Sequence, residues 1–488
     1  MRDYTDRALD TAKASGATYA DVRIVRRTTQ GITVKNGVVQ GLTQDESLGF
    51  GVRVIADGAW GFASSSELTN DELDRVAALA VRIARASARA NVRPVDLGPA
   101  EVHVDSYVTP HEVDPFSISL EEKIDLLLEA DAEARAVDGV MISTPRMSFL
   151  REEKTFASSE GSFVEQTILE SGIGTRVNAV AAGEMQQRSY PNMFGIQQET
   201  GGYEVVRKWD VVGNARRIGE EAVALLSAPQ CPSTTTSVIL GGSQLALQVH
   251  ESCGHPIELD RVFGTEAAYA GTSFLTPEKY GAFTYGSKIV NIVSDAVTPG
   301  GLGTYGFDDE GVPAQRTEIV KDGRFVGYLT SRETATELRK IHPDAPERSN
   351  GAMRASGWNR IPIIRMNNVS LMPGEWALDD LIADTDDGVY MVMNKSWSID
   401  DRRLNFQFGT ELAFEIKGGK LGKMYKNATY TGITPQFWAG CDAICDVDHW
   451  TVWGTPNCGK GQPGQVAHTG HGTAPARFRD VQIGMMAG

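Results

Sequence analysis

Two histidines and a glutamate fall within six residues at His250-Glu251-Ser252-Cys253-Gly254-His255, and these types at this spacing point to metal-assisted hydrolysis. Neutral imidazole nitrogens are zinc ligands, and zinc lowers the pKa of water to about 7. A carboxylate nearby can then take that water's proton and pass it to a leaving amine. Glu251, one residue from His250, suits this second task and is not needed as a ligand. The spacing poses a geometric problem. Zinc-protease histidines usually stand four apart, on one helical face. Here they stand five apart, about 140° around a regular helix axis, which is poor for one ion. Gly254 and Pro256 predict a helix break at Gly254–His255, with Gly254 at positive φ, that swings His255 back toward the metal. A π-bulge in the same turn is the other solution.

A catalytic zinc takes three protein ligands and keeps one position for water. The candidates for the third are Cys253, Cys441, Cys445, Cys458, His449, His468, His471, Glu258 and Asp260, and spacing does not choose among them. Cys458 stands in TPNCGKGQPGQ, a Gly/Pro-rich loop whose turns could present a thiolate to a distant helix. Cys253 is expected to face the core. Cys441, Cys445 and His449 lie close together in CDAICDVDHW but offer three ligands and no second pair, a poor basis for another metal site. His468 and His471 read as a solvated tail. Asp401-Arg402-Arg403 reads as a salt-bridged turn, with the positioning of a substrate carboxylate as the alternative. Trp358, Trp376, Trp397 and Trp438 read as core or interface residues, one of which could floor a substrate subsite.

The elements that must position these groups are legible from periodicity and turn chemistry. After an amphipathic N-terminal helix, Asn36-Gly37 and Asp57-Gly58 suit tight hairpin turns between alternating runs. Thr69 with Glu72, and Ser119 with Glu122, have capping-box spacing ahead of helices; in the first, Leu73, Val76, Ala80 and Ile83 share a face. Pro145 to Tyr190 is strand-rich, and VVGNARRIGEEAVALLS is helical. The stretch 227–236, SAPQCPSTTT, reads as a boundary. It separates an N-terminal α+β domain, 1–226, from a C-terminal β-rich domain, 237–488. In the latter, VILGG leads into the metal-site helix, which Ser243 could cap, and Asp322-Gly323 turns another hairpin. The expected fold class is α+β: hairpins and antiparallel sheet packed with helices, followed by mainly antiparallel β-structure that carries the metal-site helix.

Composition narrows the setting. A chain of 488 residues with 63 acidic against 47 basic side chains, net charge −16, and no dense Lys/Arg block is a poor partner for nucleic acid or an anionic membrane surface. No apolar run approaches a membrane span, and the N-terminus has no signal-peptide core. Five cysteines, an odd number, argue for reduced thiols, so the cytoplasm is the expected compartment.

HESCGHPIELD, taken with GTPNCGKGQPGQ, resembles the TldD side of the TldD/PmbA metallopeptidases. DDEGVPAQRTEIVKDGRFVGYLTSRETA, SWSIDDRRLNFQFGTELAFEIKGGKLG, KNATYTGITPQFW and GVRVIADGAWGFASS extend the resemblance over nearly the whole chain. It implies His250, His255 and Cys458 as ligands of one zinc per chain, with Glu251 as the general acid/base. Glu258 and Asp260 match acidic positions of the family pattern, as ligand-orienting groups or as a solvated helix face. The resemblance further implies a homodimer, or a heterodimer with a PmbA/TldE-like subunit that lacks the metal motif. The implied substrates are unfolded or extended peptides. Hydrolysis of amide or C–N bonds in small metabolites, and a non-catalytic peptide-binding role, are the alternatives.

Overall fold

The structure is a computed structural model and describes residues 1–100, 102–461 and 464–484. Its fold is α+β with mainly antiparallel sheet, as the sequence predicts. The first sheet has eight strands. Ala59–Ser65, Val38–Ala56, Tyr19–Lys35, Val140–Ser158 and Phe163–Ala181 follow one another across it, and three shorter strands pair along Phe163–Ala181. Asn36-Gly37 and Asp57-Gly58 make the two-residue turns, all four residues at positive φ, which Gly and Asn/Asp tolerate. Thr69 and Ser119 accept the N–H groups of Glu72 and Glu122 and start helices Asn70–Ala88 and Leu120–Arg135. Ile83 departs from the expected helical face and is 37% exposed; Val81 and Ala84 fill the core instead.

Period-two alternation gives the long strands two different faces. Ile32, Val34, Met147, Phe149 and Ile173 point toward Leu127 and Ala130 of the helix Leu120–Arg135 and close an apolar core. The alternate positions, among them Arg27, Thr29, Arg146 and Ser148, form a polar face that meets the second half of the chain.

That half holds a seven-stranded sheet. Asp387–Ile399, Thr234–Leu240, Ala476–Ile483, Thr429–Ile433 and Asn405–Lys417 pair in turn, and Asp387–Ile399 pairs again with Asn405–Lys417. The five strands therefore close on themselves, which removes the unpaired edges of an open sheet. Only the pair Asp387–Ile399 with Thr234–Leu240 is parallel within it. Phe406, Phe408, Tyr430, Phe437, Trp438 and Phe478 pack together in its core. The segment PIIRMNNVSLM forms two short strands, Ile363–Ile364 and Val369–Leu371. Between them Arg365, Asn367 and Asn368 are buried, and their side chains take partners outside any ladder. Among the described residues no helix is long and apolar enough to cross a membrane.

Candidate metal centre

The helix Gly242–Val249 begins at Gly241 and has no side-chain cap; Ser243, expected to cap it, gives its hydroxyl to Asn192 Oδ1 at 2.6 Å. The helix then widens. Residues His250–Gly254 form a π-turn in which the His255 N–H bonds the His250 carbonyl, five residues back. The wider turn solves the spacing problem: the two imidazoles stand 4.9 Å apart, edge to face. The break at Gly254 does not occur, because Gly254 keeps right-handed helical angles, φ −57° and ψ −56°. The absence of a side chain gives room there, since a Cβ would lie 2.0 Å from Met366 Sδ and force that side chain to shift. His255 likewise stays helical and opens a short 3₁₀ turn with Pro256.

Hydrogen bonds fix which nitrogen each imidazole presents. The carbonyl of Val369 accepts from His471 Nδ1 at 2.8 Å, so His471 Nε2 is an acceptor. That nitrogen lies 2.7 Å from His250 Nδ1, which must donate to it. His250 is left with a lone pair on Nε2, and burial, opposed by Glu251 and Glu258, keeps its pKa below the usual imidazole value. His471 is therefore no part of a solvated tail. It is fully buried, and its own pKa is pushed well down by burial and by His250. His468 is half-buried and not part of a solvated tail either, 2.6 Å from Glu170 Oε2. In the second histidine, His255 Nδ1 donates to Glu258 Oε2 at 2.9 Å and frees Nε2. Glu258 is fully buried, which rules out the solvated helix face. Burial alone would raise its pKa, but Lys460 and His255 hold it far below the carboxylate range. Asp260 instead binds Lys460 Nζ at 2.7 Å, and burial pushes its pKa up.

Cys458 comes from a hairpin, Thr451–Lys460 with Gln465–Thr473, rather than from the irregular loop that its glycines and prolines suggest. The pairing skips Pro456 and Asn457, and such a bulge re-aims the side chain that follows it. Cys458 Sγ is 3.8 Å from His255 Nε2 and 3.2 Å from Arg365 Nη2. Burial works against its thiolate, but His255 and Arg365 outweigh it and lower the pKa. The donor atoms of His250, His255 and Cys458 all lie within 4.8 Å of one another, the one such group among the described residues. A shared tetrahedral zinc would set sulfur and nitrogen about 3.5 Å apart. Two imidazole lone pairs and an acidified thiol thus suit a zinc ion in chemistry, and the pair Cys458–His255, at 3.8 Å, stands close to that spacing. The donors number three and not the four of a closed structural site.

Glu251 sits beside this triad, 5% exposed, with Arg403 Nη1 on its Oε2 at 2.6 Å. Burial raises its pKa, but His255, His250, Arg403 and the Trp397 indole prevail and keep it low, so it is a carboxylate. The Asp401-Arg402-Arg403 turn therefore holds a buried ion pair on Glu251 and not an ordinary surface contact. Sequence reasoning missed Arg365, and it named His471 and Arg403 without the roles they take here, as the partner of His250 and of Glu251. A strand period in HTGHGT, which puts Thr469, His471 and Thr473 on one buried side, was the available signal for His471. The other nominated groups do not join. Cys253 is in the core with its thiol pKa pushed up to about 12; Cys441 and Cys445 lie in separate apolar clusters, and His449 pairs with Asp446.

Models of three domains match the chain: PmbA/TldA metallopeptidase domain 1 over residues 20–84, the central domain over 113–228 and the C-terminal domain over 233–484. The chain belongs to the PmbA/TldD family. Similar proteins include a metalloprotease of Methanothermobacter thermautotrophicus, 30% identical over 467 residues, spanning 96% of this chain and 95% of that one. A zinc metalloprotease TldD homolog of Saccharolobus solfataricus is 20% identical, over 87% and 88% of the two chains. Among solved structures, TldE from Thermococcus kodakarensis has the same fold, with a TM-score of 0.74 at 15% identity, covering 98% of this chain and 99% of that one. A Thermotoga maritima structure aligns with a TM-score of 0.77 at 18% identity, over 99% and 100%.

Proposed function

We propose that this PmbA/TldD member is a zinc-dependent peptidase that hydrolyses unfolded or extended peptides. The observation that carries the reading is the convergence of His250, His255 and Cys458 beside a buried, ionised Glu251. His250 and His255 offer Nε2 and Cys458 its thiolate to one zinc per chain. When bound, zinc supplies a Lewis acid that acidifies water and polarises a carbonyl. Arg403 holds Glu251 Oε2, and the other oxygen, Oε1, takes the proton of the attacking water and passes it to the nitrogen of the leaving amine. Both proton and leaving group are then accounted for, and the carboxylate is regenerated. A chain with the proton shuttle intact corresponds to the active member of a dimer, paired with itself or with a TldE-like subunit, and acts in the cytoplasm.

The test is hydrolysis of a disordered peptide by the zinc-loaded chain and by Glu251→Gln, alone and with a TldE-like subunit. The substitution should keep zinc and cut kcat by about 10²–10⁴-fold. Equal turnover by the two proteins would remove Glu251 from the mechanism.

A further inference from the structure

The polar face of the first sheet gathers positive charge. Opposite pairing sets Thr33 against Arg146, Arg27 against Glu152 and Thr144 against Arg176, so the three arginines share one face. Pro456, Asn457 and His468 of the Cys458 hairpin form the facing wall, and the space between is a cleft of about 720 Å³. No aspartate or glutamate lines it, in a chain of net charge −16. Arg27 is neutralised by Glu152 just outside. Among the described residues Arg146 donates only to the carbonyls of Phe194 and Gly195, which carry no charge. Arg176 has a buried Nε without a hydrogen-bond partner, and its charge together with burial lowers the pKa of Arg146. Two neighbouring guanidinium groups without a carboxylate are costly in a half-buried cleft, and an anion would relieve both.

Two neighbour relations link the cleft to the metal centre. Asn457 immediately precedes Cys458, and Phe194 on its rim lies edge-on to Trp397, 5.8 Å between ring centres. Trp397 in turn supports the Glu251 carboxylate.

We propose that this cleft is a subsite for a substrate carboxylate, held by Arg146 and Arg176, so that the protein selects peptides carrying an acidic side chain or a free C-terminus beside the bond to be cut. This deepens, and rests on, the peptidase reading of the adjoining centre. Guanidinium forks match carboxylates in shape, and the contact is charge-assisted.

Binding can be read without turnover, in zinc-loaded Glu251→Gln, by fluorescence anisotropy with four labelled peptides. The set combines Asp/Glu or Asn/Gln side chains with a free or amidated C-terminus. Peptides with the recognised carboxylate should bind roughly tenfold or more tightly than their neutral counterparts, and the advantage should shrink at high salt. Whichever carboxylate carries the advantage identifies its source. Adding Arg176→Gln should remove the preference while zinc content stays the same; the buried Nε has no hydrogen-bond partner to lose, and the unfolding midpoint checks that the fold is kept. Arg146→Lys should keep part of the preference and Arg146→Gln should lose it. Equal binding of all four peptides would overturn the subsite, as would a preference untouched by Arg176→Gln and Arg146→Gln. Preferential binding by a parent chain that hydrolyses nothing would overturn the peptidase reading and leave the subsite standing.

Discussion

Around Asp309 and around His250 the chain buries polar side chains to the same depth, but completes them in opposite ways. Asp309 meets Lys154 at 2.6 Å, Arg23 at 3.3 Å and the Ala355 N–H at 2.7 Å. Its neighbour Glu310 meets Arg53 and the Arg332 N–H, and Asp308 accepts the N–H groups of Glu310, Val312 and Met353. These oxygens are consumed within the protein, and their cationic partners Arg23, Arg53 and Lys154 all come from the first sheet. The loop works as a clasp between the two halves of the chain. At His250 and His255 the partners take only one nitrogen of each ring and aim the other at a common point. Charge that is fully spent holds structure, while donors half spent and convergent are prepared for a ligand.

The largest effect should come from breaking the clasp. Asp309→Ala leaves Lys154 and Arg23 buried without their carboxylate and should cost about 3–5 kcal/mol in urea unfolding. Zinc affinity of the folded fraction should not change, which chelator competition can check. Next, His471→Phe removes the acceptor that orients His250, and should weaken zinc binding about 10–100-fold. Its unfolding midpoint in the zinc-free state should move less than that of Asp309→Ala. A pH experiment sharpens the contrast further. Although burial opposes it, Lys154 and Arg23 hold the Asp309 pKa at about 2, below its unfolded value near 3.8. A carboxylate lowered in this way stabilises the fold fully above the unfolded value and loses that contribution as pH falls from about 4 to about 2. By linkage the loss is about 2 kcal/mol. Asp309→Asn should flatten this part of the acid-unfolding curve; an unchanged slope would mean that the clasp is not what acid breaks.

Much of this was written in the chain, to differing degrees. The hairpin turns at Asn36-Gly37 and Asp57-Gly58, and the caps at Thr69 and Ser119, follow from local backbone chemistry and stand where the sequence predicts. The pair His250–His255 was legible as a problem with two answers, and the chain adopts the π-turn, with Gly254 helical and packed against Met366. Geometry alone left the third ligand open among nine candidates, because Cys458 reaches His255 across 203 residues by sheet pairing, which spacing does not encode. His471 looked like part of a polar tail because its glycines weaken the strand signal that the threonines of HTGHGT carry; the burial of Thr469, His471 and Thr473 is set by tertiary packing. Arg403 was read as a surface ion pair because a charge in a turn is usually solvated, and nothing nearby in sequence announces Glu251 as its partner.

The central claim is that two imidazoles and one thiolate share a zinc while a fourth position stays available. X-ray absorption on the zinc-loaded chain tests it directly. The account predicts one sulfur at about 2.3 Å and three nitrogen or oxygen neighbours at about 2.0–2.1 Å, with the sulfur lost in Cys458→Ala. A shell without sulfur, or one in which Cys253 supplies a second sulfur and closes the site, would contradict it.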